Sequence, residues 1–299
     1  MEQKKLLFIY NPQSGKAMIR SYLADIIDIF TKGGYEVTAS PTQKSGDATE
    51  ITRERSGEFD LIVCSGGDGT LDEVVTGMMQ RENRKPIGYI PAGSTNDFAR
   101  SLGISCNMIE AADNVMKGKL FPCDVGSFNS DTFVYIAAFG IFTDVSYETD
   151  QNAKNVLGYL AYVLEGSKRL NSITSYRVKF SHDGEVYEDD IMLGMITNSM
   201  SVGGFRNITG QNVELDDGTF EVTFIRKPET MGEFNAIVRA LLGKTIDNDM
   251  MYCFKTGMLE IEMEELVPWT LDGEFGGTHK HVVIKNENQA LQIIVPEEN

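Results

Sequence analysis

Apolar and polar positions in the first third of the chain switch repeatedly between strand and helix spacing. Leu6-Leu7-Phe8-Ile9-Tyr10 is a short apolar run that predicts a strand. Ile19, Leu23, Ile26, Ile27 and Phe30 then recur at helical spacing up to Gly33-Gly34. Tyr35 to Thr38 predicts a second strand, Asp47 to Arg55 a polar helix, and Leu61-Ile62-Val63-Cys64 a third strand. The unbroken apolarity of that third strand implies burial on both faces. A helix over Leu71 to Met79 and a strand over Ile87 to Ile90 follow. Strand alternating with helix predicts a doubly wound, Rossmann-like parallel sheet, with ligands beyond the carboxyl ends of its strands.

After about Asp124 the pattern becomes β-like. Strands are predicted over Thr132–Ala138, Tyr176–Ser181, Val186–Thr197, Phe220–Ile225, Met258–Met263, His281–Lys285 and Leu291–Val295, with a hairpin signal at Asp183-Gly184. Two helices interrupt them, at Lys154–Leu170 and Met231–Leu242. The expectation is therefore an α/β nucleotide domain over 1–127 and an antiparallel β-sandwich domain over 128–299. The last ten or so residues are a candidate to pack back on the first domain. The apolar faces of the two helices are expected to pack on the sandwich, with insertion in lipid as the alternative, and either helix could line an acyl-chain groove.

Composition narrows the function classes. A net charge of −17 with no clustered Lys or Arg excludes nucleic acid as a partner. No apolar run reaches the roughly 20 residues that span a bilayer, and the N-terminal residues carry no secretory signal pattern. Cys64, Cys106, Cys123 and Cys253 are scattered, with no paired spacing, which fits a reducing cytoplasm. His279 and His281 share a strand face, but no third metal ligand lies nearby in sequence, so a solvated face is expected.

Three glycine-rich turns follow strands of the first domain: Asn11-Pro12-Gln13-Ser14-Gly15-Lys16, Ser65-Gly66-Gly67-Asp68-Gly69-Thr70, and Pro91-Ala92-Gly93-Ser94-Thr95-Asn96-Asp97. On one sheet edge they would offer backbone N–H groups and helix N-termini to phosphate oxygens. Neither the Walker nor the dinucleotide spacing fits, so spacing alone stops at a phosphate-binding α/β domain. Asp68 inside such a turn would repel phosphate without an intervening cation, which points to Mg²⁺, and Asp124 is placed to join it. In the second domain, Leu215-Asp216-Asp217-Gly218-Thr219 reads as a hairpin turn or a small metal site. Leu271-Asp272-Gly273-Glu274 reads as a turn or as the seat of a general base.

Taken together and in order, these motifs resemble the bacterial diacylglycerol kinases and related lipid kinases, across nearly the whole chain. The Gly-Gly-Asp-Gly-Thr element alone is shared with NAD kinases. The resemblance implies a cleft between the two domains in which Asn11, Pro12, Gln13, Ser14, Gly15, Thr42, Gly66, Gly67, Asp68, Gly69, Thr70, Leu71, Asp72 and Ser94 line ATP. It implies that Asp68 and Asp124 belong to a magnesium network and that Glu274 is the base activating a lipid hydroxyl. It further implies a structural Mg²⁺ on the Asp217 side chain with the Glu214 and Thr219 carbonyls beside it. Asp72 and Ser94 depart from the family's usual Asn and Thr. The activity implied is γ-phosphate transfer from ATP to a lipid hydroxyl, most simply diacylglycerol, by a cytoplasmic, peripherally membrane-associated enzyme, with a homodimer suggested. An NAD kinase and a non-enzymatic nucleotide- or lipid-binding regulator are the alternatives.

Overall fold

The structure, a computed structural model, describes residues 3–93, 96–141, 170, 173–182, 184–199, 201–202, 205–206, 213–241 and 249–297. Ser94, Asp183, Leu242 and all but the last residue of the helix expected over 154–170 fall outside them. The chain divides into two compact units, Met1–Val125 with Asn288–Asn299, and Gly126–Glu287.

In the first unit, strands β1 (Lys4–Tyr10), β2 (Tyr35–Pro41), β3 (Leu61–Gly66) and β4 (Ile87–Pro91) pair in parallel in the order β4-β3-β1-β2. Helices α1 (Ser14–Ala17), α2 (Ile19–Lys32), α3 (Asp47–Arg55), α4 (Asp68–Met79), α5 (Asp97–Ser101) and α6 (Met108–Lys117) connect and cover them. All of β3 is buried, as its sequence requires of a central parallel strand. Phe30 of α2 packs edge-on against Phe8 of β1, with ring centroids 5.6 Å apart. Gly33 closes α2 where the apolar spacing ends, its N–H donating to the Ile29 carbonyl. Helix α4 begins at Asp68, three residues before the apolar spacing predicts. The polar residues Asp68, Gly69 and Thr70 are therefore its first turn, a position that apolar periodicity does not mark.

Strand β5 (Lys119–Phe128) leads into the second unit, where β6 (Asp131–Phe133) and β7 (Ile136–Gly140) replace the single strand expected over 132–138. There follow β8 (Tyr176–His182), β9 (Glu185–Thr197), the short pair β10 (Ser201–Val202) and β11 (Phe205–Arg206), β12 (Phe220–Arg226) and helix α7 (Met231–Leu241). β13 (Met251–Thr256), β14 (Met258–Leu271) and β15 (Glu274–Val295) complete the chain. β15 covers two segments expected as separate strands, and β13 was not foreseen. Inside this unit the order β13-β12-β9-β7-β14-β15 is antiparallel, and β8 joins both β9 and β14.

Long strands that change partner shape the sandwich. β14 pairs with β8 at Ile261–Met263 and with β7 at Trp269–Leu271, and its register against β15 shifts between Glu262 and Val267. Trp269, Phe139, Phe128, Phe180, Phe220 and Phe224 fill the core. Phe234, Ile237 and Leu241 of α7 bury against Met192, Ile225 and their neighbours, so the inner face of this helix is packed.

Candidate active site

At the carboxyl ends of β1, β3 and β4 the three glycine-rich turns meet. The Asn11 N–H donates to the Ser65 carbonyl at 2.9 Å, and its side chain accepts the Gln13 N–H at 2.9 Å, closing the turn after Pro12. Ser14 Oγ donates to the Ala92 carbonyl at 3.2 Å, tying the first loop to the third. Gly15 has φ +53°, and a side chain there would run into the Ala92 carbonyl, so only glycine fits. Thr42, buried at the end of β2, donates its N–H to the Tyr10 carbonyl at 2.9 Å.

The second loop is packed as closely. Gly66 accepts the Ala92 N–H at 2.7 Å and the buried Tyr89 hydroxyl at 3.2 Å. Burial, and behind it the Asp68 charge, pushes the Tyr89 phenol above its ordinary pKa, so it remains a donor. Gly67 caps α4 in extended conformation, and its carbonyl accepts the N–H groups of Thr70 at 3.1 Å and Leu71 at 3.2 Å. Gly67 and Gly93 face each other at backbone contact. Asp68 Oδ2 accepts the Asp97 N–H at 3.4 Å, joining the α4 and α5 starts. Asp72 lies one turn further along α4, half-buried. Sequence reasoning gave Asn96 no role, yet it builds the third loop. It takes φ +51°, accepts the Gly93 N–H at 3.0 Å and donates to the Gly93 carbonyl at 2.8 Å. Ser94 lies outside the described residues.

These contacts leave glycine backbone and the α4 N-terminus at the carboxyl edge of a parallel sheet, the usual place for a phosphate. Asp68, Asp72 and buried Asp97 make the same edge acidic. Carboxylate oxygens are the donors a hard cation such as Mg²⁺ takes, one or two of them with substrate oxygens completing its shell. Asp124 is fully buried on β5 and accepts the Gln289 N–H at 2.6 Å and the Asn288 amide at 3.4 Å. Its carboxylate thus also pins the bend at Gln289 (φ +50°), just before the closing strand segment pairs Ile293 with Ile87 of β4.

In the second unit, Glu274 is exposed and opens β15 directly after the two-residue turn Asp272-Gly273. Asp217 lies in the turn before β12. Its Oδ1 accepts the Thr219 N–H at 2.8 Å and the Thr219 hydroxyl at 2.7 Å. Its Oδ2 faces the Lys255 ammonium at 3.0 Å, and Lys255 also reaches Glu221 at 3.1 Å. Burial pulls the Asp217 carboxyl up, but the bonds from Thr219 and Lys255 outweigh it and hold the group below the ordinary carboxylate value. Burial dominates at Glu221 and pushes it up to about 7, partly offset by Lys255. Lys255 was missed because its only sequence signal is a lysine in an alternating strand. Among the described residues no three His, Cys, Asp or Glu side chains cluster as a metal site. His281 bonds Glu260 at 2.6 Å and His279 the Gly276 carbonyl at 2.9 Å.

Comparison with known proteins finds two successive domain matches, the second running past Glu287 into the terminal segment that belongs to the first unit. Residues 5–128 match the diacylglycerol kinase catalytic domain, and residues 136–295 match the YegS C-terminal NAD kinase beta sandwich-like domain. The chain is 36% identical to a diacylglycerol kinase of Bacillus subtilis, over 95% of this chain and 97% of that one. It is 34% identical to a diacylglycerol kinase of Staphylococcus carnosus, over 92% and 90%. A crystal structure of a diacylglycerol kinase from Bacillus anthracis superposes with a TM-score of 0.75 at 26% identity, covering 99% of this chain and 98% of that one. Another crystal structure from the same organism reaches a TM-score of 0.81 at 29% identity, with the same coverage.

Proposed function

The chain belongs to the diacylglycerol kinase family and is a lipid kinase acting on an alcohol acceptor, and from that premise we propose that it converts diacylglycerol and ATP to phosphatidic acid and ADP. The observation that carries the nucleotide half is the meeting of three glycine turns at the ends of β1, β3 and β4, held by the Ser14–Ala92, Gly66–Ala92 and Asp68–Asp97 bonds. On this reading Asn11 to Gly15, Thr42, Gly66 to Asp72 and Ser94 line the nucleotide, with backbone N–H groups turned to its phosphates.

The acceptor hydroxyl oxygen forms a bond to the γ-phosphorus as the bond from that phosphorus to the β,γ-bridging oxygen breaks. The electron pair of that bond leaves with ADP, and Glu274 takes the hydroxyl proton. Asp68 and Asp124 would hold Mg²⁺, which when bound offsets the charge of the phosphate oxygens. The Asp217 turn is different. Asp217 Oδ1 accepts from Thr219 and its Oδ2 faces the Lys255 ammonium, so on this reading Lys255, rather than the Mg²⁺ expected on Asp217 with the Glu214 and Thr219 carbonyls, supplies the positive charge there. Among the described residues no helix is long and apolar enough to cross a membrane, so on this reading the enzyme meets its lipid by transient contact with a bilayer surface.

The test is a labelled-ATP assay against diacylglycerol, phosphatidylglycerol, a sphingoid base and NAD, with products identified by mass. Phosphatidic acid as the main product is expected. Glu274→Gln should lose about 10²- to 10⁴-fold in turnover while binding ATP normally. Near-normal turnover in that variant would remove Glu274 from the mechanism, and preferential phosphorylation of NAD would reject the lipid assignment.

A further inference from the structure

Leu271 pairs with Glu274 across a two-residue turn whose central residues, Asp272 and Gly273, have φ +50° and +90°. Positive φ at both positions is the type I′ hairpin form, and an aspartate at the first is ordinary. What is not ordinary is where this aspartate points. A turn residue usually leaves its side chain in water, whereas Asp272 is only 5% exposed.

Its carboxylate accepts three consecutive backbone N–H groups: Val134 at 2.5 Å, Tyr135 at 3.0 Å and Ile136 at 2.9 Å. Its own N–H donates to the Ile136 carbonyl at 2.9 Å, and its carbonyl accepts the Tyr135 hydroxyl at 3.2 Å. The three N–H groups form a concave anion site that the chain fills with its own carboxylate. Ionised acceptors on backbone donors are among the stronger hydrogen bonds. The partner segment runs into β7, which is hydrogen-bonded on both sides, to β14 at Ala137–Phe139 and to β9 at Ile136–Gly140. The hairpin tip is thereby fixed to the middle of the sheet, although Glu274 two residues on is exposed.

We propose that Asp272 is a positioning residue for Glu274: it clamps the hairpin turn to the start of β7 so that the general base is presented in one geometry. The inference rests on the assignment of Glu274 as base. A reacting group must be held within roughly 0.5 Å of its productive place, and a loose solvent-exposed turn does not do that. The Asp272–Val134 network supplies the rigidity that the two-residue turn lacks on its own.

A double-mutant cycle tests it, with wild type, Asp272→Asn, Glu274→Gln and the double variant assayed with ATP and diacylglycerol in mixed micelles. Asp272→Asn keeps an acceptor oxygen but loses the charge. Its kcat should fall roughly 10- to 100-fold with KM for ATP unchanged. In the Glu274→Gln background the same change should cost less than about threefold, because the group it positions is already gone. Equal losses in both backgrounds would overturn the positioning role, as would wild-type kcat in Asp272→Asn. Tyr135→Phe removes one bond of the clamp without burying an unpaired charge. It should give a smaller kcat loss that likewise disappears with Glu274→Gln, and it serves if Asp272→Asn fails to fold. Glu274→Gln at the wild-type rate would sink the base assignment itself. An inactive Glu274→Gln beside a fully active Asp272→Asn would sink the clamp alone.

Discussion

Gly93→Ala is the sharpest test of how the nucleotide loops are built. A Cβ on Gly93 would lie 2.7 Å from the Gly67 Cα and 2.8 Å from Asn96 Oδ1. Carbon atoms in contact sit at about 3.5–4.0 Å, so the two loops must separate by roughly 1 Å. Neither neighbour is a flexible chain end. Gly67 is the cap of α4, and Asn96 is held by two hydrogen bonds to Gly93 itself. Forcing a methyl into such a site costs about 1–3 kcal/mol, or roughly 2–12 °C in melting temperature for a unit of this size. A displacement of roughly 1 Å at a catalytic site can cost about 10²-fold, so kcat/KM for ATP should fall by that order. Gly67→Ala is the matched control for stability. Its Cβ meets Gly93 at 3.5 Å and Ser14 Oγ at 3.8 Å, ordinary contacts, so it should cost less than about 1 kcal/mol. Thermal melts and ATP kinetics on the two variants decide the matter. Wild-type stability and KM in Gly93→Ala, or equal destabilisation by the two substitutions, would refute the close packing of the loops.

The second unit offers two tests at one cluster. Lys255→Met leaves the buried Glu221 and the Asp217 carboxylate without their cation and should cost about 1–2 kcal/mol, reduced by the partial exposure of Lys255. Chelator should not move the wild-type melting temperature in the absence of nucleotide, and a clear drop would restore a divalent ion to the Asp217 turn. Glu221 carries a folded pKa of about 7, raised from 4.5, so the folded state binds its proton more tightly. Its contribution to stability is full below pH 4.5 and is lost as pH rises through 7. Glu221→Gln should flatten that slope, and an unchanged pH–stability curve would show that the group does not titrate there. Asp124→Asn keeps an acceptor for the Gln289 N–H and removes the charge. The fold should survive while the Mg²⁺ concentration needed for half-maximal activity rises at least tenfold, and an unchanged Mg²⁺ requirement would leave Asp124 with the bend at Gln289 alone.

The parallel half was legible because short-range rules govern it. The Leu61–Gly66 run can be apolar throughout only if both faces are covered, and the spacing from Ile19 to Phe30 can bury only as a helix. In the other half, β14 and β15 run past the breaks that local pattern suggests, because their partners change partway along them. Partner choice is a long-range property, and no residue in either strand announces it.

The sites divide along the same line. That glycine turns follow the apolar strands β1, β3 and β4 was legible from sequence alone, since positive φ and close backbone approach leave few other residues able to stand there. That Ser14 bonds Ala92, that Gly93 touches Gly67 and that Asp68 meets the Asp97 N–H are contacts between segments far apart in the chain, fixed only when β1, β3 and β4 lie side by side. Lys255 reaches Asp217 across 38 residues, and Asp272 reaches Val134 across 138. Local sequence determined that Asp272-Gly273 would turn the chain, because two residues of that type suffice for a hairpin. Only the tertiary structure decided that the aspartate faces inward, because the three N–H groups it binds come from the link between β6 and β7 and the first residue of β7.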